Sequence, residues 1–378
     1  MQIEQRRWTA AQGWTPPDGA LGRRAQLVWV FGTTAVLEDP ARYQEIRLAY
    51  PGARLFGSST SGEIAGTTVQ DDSLVTTAVV FSETQIHGVS IHITAHQTSS
   101  ACGVALAQAL PSQGLAHVVV LSDGLKVNGS ELVAGMRRVL PVGVQITGGL
   151  AGDGARFERT LVLLDHPPES GRVAAVGFYG ARLKVGYGSL GGWDPFGPER
   201  VITRSRGNVL YELDGQPALA LYKKYLGEHA ASLPAAGLLF PLSIRSSPEA
   251  RPLVRTILGV EESAQSMTFA GDVPQGAKAQ LMKANFDRLI DGASGAAKTS
   301  AESLDGSAPE LAILVSCVGR RLVLKQRTEE ELEAVQEALG GKTVLAGFYS
   351  YGEICPAAPN ANCELHNQTM TVTTFSER

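Results

Sequence analysis

The sequence has few of the features that mark a disulfide-rich, zinc-binding or membrane-spanning protein. Its 378 residues include four cysteines, Cys102, Cys317, Cys355 and Cys363, and no two of them form a CxxC pair. So few cysteines in a chain of this length indicate neither a disulfide scaffold nor a structural zinc motif, and we expect reduced thiols. The apolar runs are far shorter than the ~18 residues that a membrane helix needs.

An excess of charge of one sign is also lacking. The chain has 33 basic and 37 acidic residues, which are interspersed and give a net charge of -4. Without a basic stripe to neutralise phosphates, a nucleic acid is not an expected partner. Residues 1–7 lead into no apolar segment of the kind that a secretory signal contains. We therefore expect a soluble, cytoplasmic protein with neither a membrane nor a nucleic-acid partner.

Signatures of catalysis and nucleotide binding are missing as well. The sequence contains no GxSxG elbow and no HExxH pair. Gly186, Gly188 and Gly191 spell GxGxxG, but GWDPFG follows where a Rossmann helix should begin, so we interpret this match as accidental. A hydrolase remains an alternative only if the serines of residues 58–61 and His366 converge in the fold. We expect a protein that is not an enzyme.

What the sequence does contain is a repeated unit. The length predicts two or three domains. A short apolar strand, an amphipathic helix and a second strand ending in glycines recur in residues 27–66, 117–154 and 311–356. The predicted helices cover about residues 38–50, 129–140 and 329–339, which are typical of β-α-β crossovers.

The strand exits of the first and third copies are alike. The motif G-x4-G-E-I occurs at residues 57–64 and again at residues 347–354, whereas residues 149–154 of the middle copy are a weaker relative. Such reuse indicates duplication of one unit. We predict an α/β fold of the mixed α+β kind, in which two related halves form mixed sheets covered by helices.

The segments between these units predict further strands and helices. Period-two alternation over residues 74–81 and 86–93, and again over residues 159–180, is hairpin-like, and residues 369–375 have the same pattern. Residues 208–227 predict a strand, an Asp-Gly turn and a helix.

A further helix is predicted over about residues 277–290. The glycine-rich and alanine-rich stretch that follows, residues 292–310, is either the tail of that helix or a flexible linker.

Several of these motifs resemble the FIST family. LFGSSTSGEIAG, LSDGLKVNGSELVAGM and ITGGLAGDG resemble the FIST N-terminal domain, and NVLYELDGQPAL, SCVGR, GFYSYGEICP and HNQTM resemble the FIST C-terminal domain. The resemblance implies an N-terminal extension over residues 1–26, a FIST N-terminal domain over residues 27–200 and a FIST C-terminal domain over residues 201–378.

The resemblance also implies a function. It indicates a non-enzymatic sensory module that binds a small, amino acid-like ligand. We expect it to signal to a separate protein, such as a histidine kinase or a cyclic-dinucleotide enzyme. Some members of the family are haem proteins that sense nitric oxide and control a histidine kinase, so haem b is a possible cofactor and nitric oxide an alternative ligand. The oligomeric state is left open.

The two G-E motifs supply the first candidate ligand contacts. Gly62 and Gly352 allow the backbone to come close to a ligand, and the carboxylates of Glu63 and Glu353 can accept hydrogen bonds from an ammonium or amide group. The alternative is that both carboxylates bridge neighbouring loops for structural reasons.

Further candidates follow the other strand ends. Asp123 and Asn128 come after the strand of the second copy, where open α/β sheets bind ligands; Asn128 could equally cap the helix that follows. Arg320 could clamp a carboxylate with its forked donors, or be a solvated surface side chain.

His366 and Asn367 match a motif of the family, HN-x-T. If the chain binds haem, the resemblance makes His366 the first candidate for the axial ligand of the iron and Cys355 the second. The alternative is a hydrogen-bonded structural histidine.

Overall fold

The computed structural model describes residues 1–233, 235–250, 252–356 and 361–377. These residues form 26 β-strands and eight α-helices. In chain order the strands are β1 (Gln2–Thr9), β2 (Gly13–Thr15), β3 (Leu27–Gly32), β4 (Arg54–Ser59), β5 (Glu63–Ala65), β6 (Thr68–Gln70), β7 (Ser73–Val80), β8 (Gln85–His92), β9 (Leu115–Ser122), β10 (Gln145–Leu150), β11 (Val162–Leu164), β12 (Arg172–Tyr179), β13 (Leu183–Leu190), β14 (Asp194–Arg206), β15 (Val209–Leu213), β16 (Gln216–Pro217), β17 (Leu242–Arg245), β18 (Leu253–Arg255), β19 (Ile257–Glu261), β20 (Ser266–Phe269), β21 (Lys278–Lys283), β22 (Leu311–Cys317), β23 (Val344–Ser350), β24 (Gly352–Pro356), β25 (Cys363–His366) and β26 (Met370–Glu377).

The helices cover the sheets from outside. They are α1 (Thr34–Glu38), α2 (Pro40–Ala49), α3 (Ser99–Gln108), α4 (Gly129–Arg137), α5 (Ala218–Leu226), α6 (Phe286–Glu302), α7 (Val318–Leu324) and α8 (Thr328–Leu339). Within the described residues, no helix has both the length and the apolar composition needed to cross a lipid bilayer. The predicted mixed α/β fold with helix-covered mixed sheets is confirmed.

Each copy of the repeated unit forms the centre of one six-stranded sheet. The strand orders are β11-β4-β3-β7-β1-β2, β25-β24-β10-β9-β12-β8 and β13-β26-β22-β23-β5-β6. In every sheet the two strands of a β-α-β unit run parallel, as β3 with β4, β9 with β10 and β22 with β23. An antiparallel strand, β7, β12 or β26, lies beside the first of them. All three predicted units are therefore present.

The three sheets exchange strands in a cycle. After β4 the chain leaves its own sheet, and β5 pairs with β23 of the third sheet. After β23, β24 pairs with β10 of the second sheet, and after β10, β11 pairs with β4 of the first. Each unit thus completes the sheet of another unit, which gives the body of the protein approximate threefold symmetry.

One apolar core fills the space between the three sheets. The ring centroids of Phe31 and Phe348, from the first and third sheets, lie 4.8 Å apart. Phe178 of the second sheet lies 6.4 Å from Trp29 and 5.3 Å from Phe375. All five side chains are fully buried, and stacked or tilted aromatic pairs add to the free energy gained by burying apolar area. The inward faces of the sheets therefore share a single core.

Residues 194–283 form a separate eight-stranded sheet. Its order is β18-β17-β21-β14-β15-β20-β19, with β16 paired to β15. Helix α5 packs on it, and Leu210, Leu219, Met267 and Phe269 belong to a core that this region does not share with the three-sheet body. The predicted domain boundary at residue 200 falls within β14, and the division into two domains stays a prediction.

Two details of the predicted elements differ from the structure. Residues 278–283, predicted to begin a helix, form strand β21 because β14 and β17 both pair with them, and Ala279 and Leu281 alternate into the core. The helix begins at Phe286, where Asn285 Oδ1 accepts the N–H of Arg288. Residues 292–302 continue this helix to its last residue. The prediction of a helix tail is therefore correct for this part of the stretch 292–310.

The predicted hairpins are strands, but their pairing was wrong. Strand β7 pairs with β1 and β3, whereas β8 pairs with β12. Strand β11 pairs with β4, and β12 with β9 and β8. Alternation reports that one face of a strand is buried and does not identify its neighbour. The Asp-Gly turn is confirmed, since Asp214 and Gly215 have φ values of 49° and 73°.

Candidate functional site

The carboxyl ends of the three parallel strand pairs meet around the approximate threefold axis. Three backbone hydrogen bonds link them at equivalent positions: Ser61 N–H to Tyr349 O (2.8 Å), Gly152 N–H to Ser59 O (3.0 Å) and Tyr351 N–H to Leu150 O (3.2 Å). When the three units are aligned, the three donors occupy one equivalent position. The three acceptors occupy the position two residues before it. We call these three bonds the axial ring.

A glycine in the second strand of each unit is required by close packing. An added Cβ would lie 1.7 Å from Val30 O at Gly57, 1.8 Å from Val120 O at Gly148 and 1.9 Å from Leu314 O at Gly347. Real side chains do not tolerate such contacts, so only glycine lets the parallel strands approach. The first glycine of the G-E motifs therefore has a structural role, and Gly148 is its equivalent in the middle copy.

Glu63 is buried and engaged by three hydroxyl groups. Ser73 Oγ donates to its carboxylate at 2.6 Å and Thr33 Oγ1 at 3.3 Å, and Thr60 Oγ1 donates at short range. Burial raises the pKa of Glu63 to about 7, and these hydroxyl groups oppose the shift only in part. The carboxyl group ties the strand exit to the beginning of β7.

Glu353 occupies the same place in the third unit. It accepts hydrogen bonds from Ser350 Oγ at 2.8 Å, from the N–H of Thr369 at 3.1 Å and from Thr369 Oγ1 at 2.9 Å. Burial raises its pKa to about 8, since these donors offset the loss of solvation only partly. Glu353 thus ties its strand exit to the residue that precedes β26.

Asp123 makes the corresponding link in the second unit. Its carboxylate accepts the N–H groups of Gly171 (2.7 Å), Leu125 (2.8 Å) and Lys126 (2.9 Å), and the hydroxyl of Ser170 at 2.9 Å. Burial alone would raise the pKa of Asp123, but the backbone donors outweigh it and hold the pKa below its ordinary value. All three carboxyl groups are saturated by the protein and lie beneath the surface.

Arg320 is a buried structural residue. Its Nη2 lies 2.7 Å from Glu331 and donates to the carbonyl of Leu289 at 2.7 Å, and both charged side chains are fully buried. The expected solvated or ligand-clamping arginine is therefore enclosed in the interior. Its neighbour Arg321 points outward.

The residues predicted for haem do not fit a haem site. His366 Nε2 lies 2.8 Å from the carbonyl oxygen of Cys355, and the two residues lie on the paired strands β25 and β24, both buried. Neither lines either of the two clefts described below. Among the described residues, no group of three or more His, Cys, Asp and Glu side chains could hold a metal ion.

Asn367 is buried beside these strands with 1% of its surface exposed. Neither Oδ1 nor Nδ2 has a hydrogen-bond partner within the described part of the chain. A Cβ added at Gly352 would lie 3.6 Å from Asn367 Nδ2 and 3.0 Å from Leu365. Asn367 and Gly352 therefore lie together in the interior.

A cleft of about 680 Å³ lies beside Ser61 of the axial ring and is lined by residues of all three units. Its walls come from the loop after β4, from β6 and the loop after it, from the loop after β10, and from residues 318–329. We call it the arginine cleft; it is lined by Ser61, Val69, Asp71, Gly154, Ala155, Arg156, Val318, Arg321, Leu322, Lys325, Gln326, Thr328 and Glu329.

Charges of both signs line the arginine cleft. Arg321 makes a two-pronged pair with Asp71, at 2.7 Å and 2.6 Å, and also donates to the carbonyl of Ser61 at 2.6 Å. Arg156 Nε donates to the buried Asp153 at 3.0 Å. Lys325, with a φ of 52°, has no carboxylate partner among the residues that the structure describes. The cleft therefore presents several cationic donors next to acidic groups.

A second cleft of about 280 Å³ lies between the three-sheet body and the eight-stranded sheet. We call it the junction cleft; it is lined by Gly124, Leu125, Lys126, Val127, Asn128, Leu150, Phe157, Asn208, Leu258, Phe269, Ala270, Gly271 and Tyr351. Asn128 caps α4 by accepting the N–H of Glu131 at 3.1 Å, and its Nδ2 donates to Asp272 at 3.3 Å. Asn128 therefore caps the helix, as the alternative expected, and also lines this cleft, while its contact with a ligand stays a prediction.

The structure separates the predicted ligand contacts. None of the other eight, Gly62, Glu63, Asp123, Arg320, Gly352, Glu353, His366 and Asn367, lines either cleft. Gly62 lies just behind the arginine cleft, since a Cβ there would be 2.6 Å from Arg321 Nη1. The residues that sequence reasoning missed are Asp71, Arg156, Arg321 and Lys325. Their only signal was proximity along the chain to the candidates Glu63 and Arg320 and to the glycine-rich exit of the middle copy.

Comparison with known proteins gives a family match and distant likenesses to solved structures. Residues 26–216 match the FIST N domain and residues 218–356 match the FIST C domain. No curated protein sequence matches the chain. A solved chorismatase is 10% identical over 99% of this chain and 98% of that chain, with a TM-score of 0.35. A cyanuric acid hydrolase from A. caulinodans is 11% identical over 78% and 99%, with a TM-score of 0.17. TM-scores this low support no inference about fold or activity.

Proposed function

The chain belongs to the FIST family, whose domains are sensory and bind small ligands, and on this premise we propose that it binds an amino acid-like ligand in the arginine cleft. In this proposal the protein is not an enzyme. It passes the ligand signal to a separate protein, such as a histidine kinase or a cyclic-dinucleotide enzyme.

The observation that carries the proposal is the charge arrangement of the arginine cleft. A free amino acid has a carboxylate and an ammonium group a few bonds apart. Guanidinium and ammonium donors of Arg156, Arg321 and Lys325 can receive the carboxylate, and Asp71 and Glu329 can receive the ammonium. The cleft has the volume and the few converging polar groups that are typical of small-molecule sites.

The position of the cleft suggests how binding could be transmitted. Ser61 comes from the first unit, Arg156 from the second and Arg321 from the third, so a ligand would contact all three units at once. The Arg321–Asp71 pair already joins the third unit to the first, and a ligand carboxylate would compete with Asp71 for Arg321. The ligand would then bind the arrangement in which Arg321 is released from Asp71 more tightly than the arrangement in which the pair is intact. A ligand can drive a conformational change only through such a difference in affinity.

The predicted role of the G-E motif is indirect in this proposal. Glu63 is covered, but its neighbours Ser61 and Gly62 contact Arg321. A ligand that displaces Arg321 would therefore act first on the backbone of the G-E loop. The hydrolase alternative receives no support, since Ser59 Oγ is buried between Gly152 O and the N–H of Leu161.

A calorimetric titration of the standard amino acids tests the proposal. We expect at least one to bind, and Arg321→Met to weaken it by about 10-fold or more, since a lost charged hydrogen bond costs about 1.5–3 kcal/mol. Arg172→Met is the matched control, because Arg172 pairs with Glu169 at similar exposure away from the cleft. Hydrogen exchange in residues 61–71 and 318–329 should slow when the ligand is bound.

Two results would contradict the proposal. One is that no amino acid binds saturably to the wild-type protein. The other is that an amino acid binds but Arg321→Met and Arg172→Met retain the same affinity, which would place the site elsewhere.

A further inference from the structure

The junction cleft has an aromatic wall that is unusual for a surface loop. Phe157 stacks on Tyr351 with ring centroids 4.4 Å apart and planes at 13°. Phe157 is 38% exposed and has a φ of 57°, a left-handed backbone conformation that is uncommon for a bulky residue. Strained backbone of this kind occurs preferentially where a side chain is held for binding.

Two further apolar side chains lie exposed at the same cleft. Leu125, from the loop after β9, is 41% exposed, and Leu258, from the eight-stranded sheet, is 44% exposed. Together with Phe157 they surround an opening whose volume equals about nine water molecules, at roughly 30 Å³ each. A cavity of this size and lining fits one ring with a short substituent.

Two cationic side chains near the cleft, Lys126 and Arg255, form no ion pair among the described residues. The ammonium of Lys126 is exposed at the opening and has no partner within the described ranges. Behind the opposite wall, Arg255 is 5% exposed and donates to the carbonyl oxygens of Leu365 (2.8 Å) and Asp272 (3.3 Å).

Arg255 has no ion pair among the described residues, and Gly271 separates it from the cavity. A Cβ added at Gly271 would lie 2.9 Å from Arg255 Nε. The carboxylates of Asp272, Glu364 and Glu353 attract Arg255 electrostatically, but none of them forms an ion pair with it within the described part of the chain. Buried charges are stabilised by counter-charges, so a ligand anion in the cleft would add to the counter-charge that Arg255 has.

We propose that the junction cleft is a second ligand site, which takes a compact single-ring molecule bearing one carboxylate. The ring lies against Phe157 and Tyr351, and the carboxylate meets Lys126. This ligand class differs from the zwitterion assigned to the arginine cleft. Because the cleft walls come from both the three-sheet body and the eight-stranded sheet, the bound ligand favours their docked arrangement.

Phenylacetate is the probe that tests this site, with phenylacetamide as its neutral counterpart and acetate as the counterpart without a ring. For a ligand of this size we expect a Kd of about 0.1–1 mM for phenylacetate. Phenylacetamide should bind at least about 5-fold more weakly, and acetate should not bind measurably. Ligand-observed NMR and calorimetry measure all three.

Paired variants locate the binding. Phe157→Ala should abolish phenylacetate binding, whereas Phe286→Ala, at another phenylalanine of similar exposure, should not change it. Lys126→Met should remove the difference between phenylacetate and phenylacetamide, and Lys342→Met at a remote exposed lysine should preserve it. If Phe157→Ala does not fold, Leu258→Ser is used in its place.

The proposal is overturned if phenylacetate shows no saturable binding at about 10 mM, which lies well above the expected Kd. It is also overturned if the folded Phe157→Ala or Leu258→Ser variant binds phenylacetate as the wild type does. Amino acid binding at the arginine cleft should be unaffected by Phe157→Ala, so the two proposals fail or hold separately.

Discussion

Arg320 and Arg321 are consecutive residues of α7, yet their side chains lie in different surroundings. Successive helical residues point about 100° apart, so one arginine faces the interior and the next faces solvent. Arg320 forms a fully buried pair with Glu331, whereas Arg321 forms a partly exposed pair with Asp71. A sequence motif that contains both residues cannot tell which one reaches a ligand, because that depends on the rotation of the helix.

The raised pKa of Glu63 predicts a measurable dependence of stability on pH. The ordinary value is 4.5 and the folded value is about 7, so between them the folded chain holds a proton that the unfolded chain has released. The contribution of this proton to the free energy of unfolding is therefore full below pH 4.5 and is lost as the pH rises through 7. The total loss is roughly 3 kcal/mol. Glu63→Gln should remove this loss, as measured by urea denaturation at pH 5 and pH 8.

Glu302→Gln, at an exposed position of α6, is the control and should retain the wild-type dependence on pH. The same dependence on pH in the wild type and Glu63→Gln would show that folding does not raise the pKa of Glu63, which contradicts the prediction. Glu353→Gln should behave like Glu63→Gln, with its window extending to about pH 8.

Among the elements, the long helix α6 shows how small residues determine packing. Apart from Leu289, its buried residues are glycine, alanine and serine, and it lies against β13. A Cβ added at Gly188 of β13 would be 2.1 Å from Ala296 O, and one at Gly186 would be 1.9 Å from Ser300 O. The GxGxxG match that includes these glycines therefore reflects close contact between helix and strand.

Gly188→Ala should destabilise the protein, because the added methyl group forces α6 away from the sheet. The expected loss is about 1–3 kcal/mol in the free energy of unfolding, measured by chemical denaturation. Gly341→Ala is the matched control, since no described atom lies within 4 Å of the added methyl group there. Equal stability of the two variants would mean that α6 can shift without cost.

In the whole molecule, the cyclic exchange of strands makes the three sheets one structural unit. The β5, β11 and β24 strands each complete a sheet whose parallel pair comes from another part of the chain, and one aromatic core fills the centre. The eight-stranded sheet has its own core and should behave differently when either core is damaged.

Phe348→Ala should remove about 3–5 kcal/mol of stability by leaving a cavity beside Phe31. Since the core is shared, native-state hydrogen exchange should speed up together in β3, β9 and β22. Met267→Ala, in the core of the eight-stranded sheet, should instead affect mainly residues 194–283. Loss of protection confined to β22 and β23 in Phe348→Ala would contradict a shared core.

The sequence by itself determined the local units of this protein. The three strand-helix-strand units, the Asp-Gly turn and the glycine exits were predictable because apolar periodicity and turn chemistry act over a few residues. The G-x4-G-E-I repeats also contain four of the six residues of the axial ring. These features depend on neighbours along the chain.

Only the tertiary structure decided which strands pair and which side chains reach a cavity. Glu63, Asp123 and Glu353 stand at the expected strand ends, but residues 10 to 48 positions away along the chain complete their hydrogen bonds. Arg321 and Asp71 line the large cleft because the cyclic exchange brings residues 250 positions apart into contact. A cleft forms where separate units pack against each other, and no local sequence pattern specifies how the units pack.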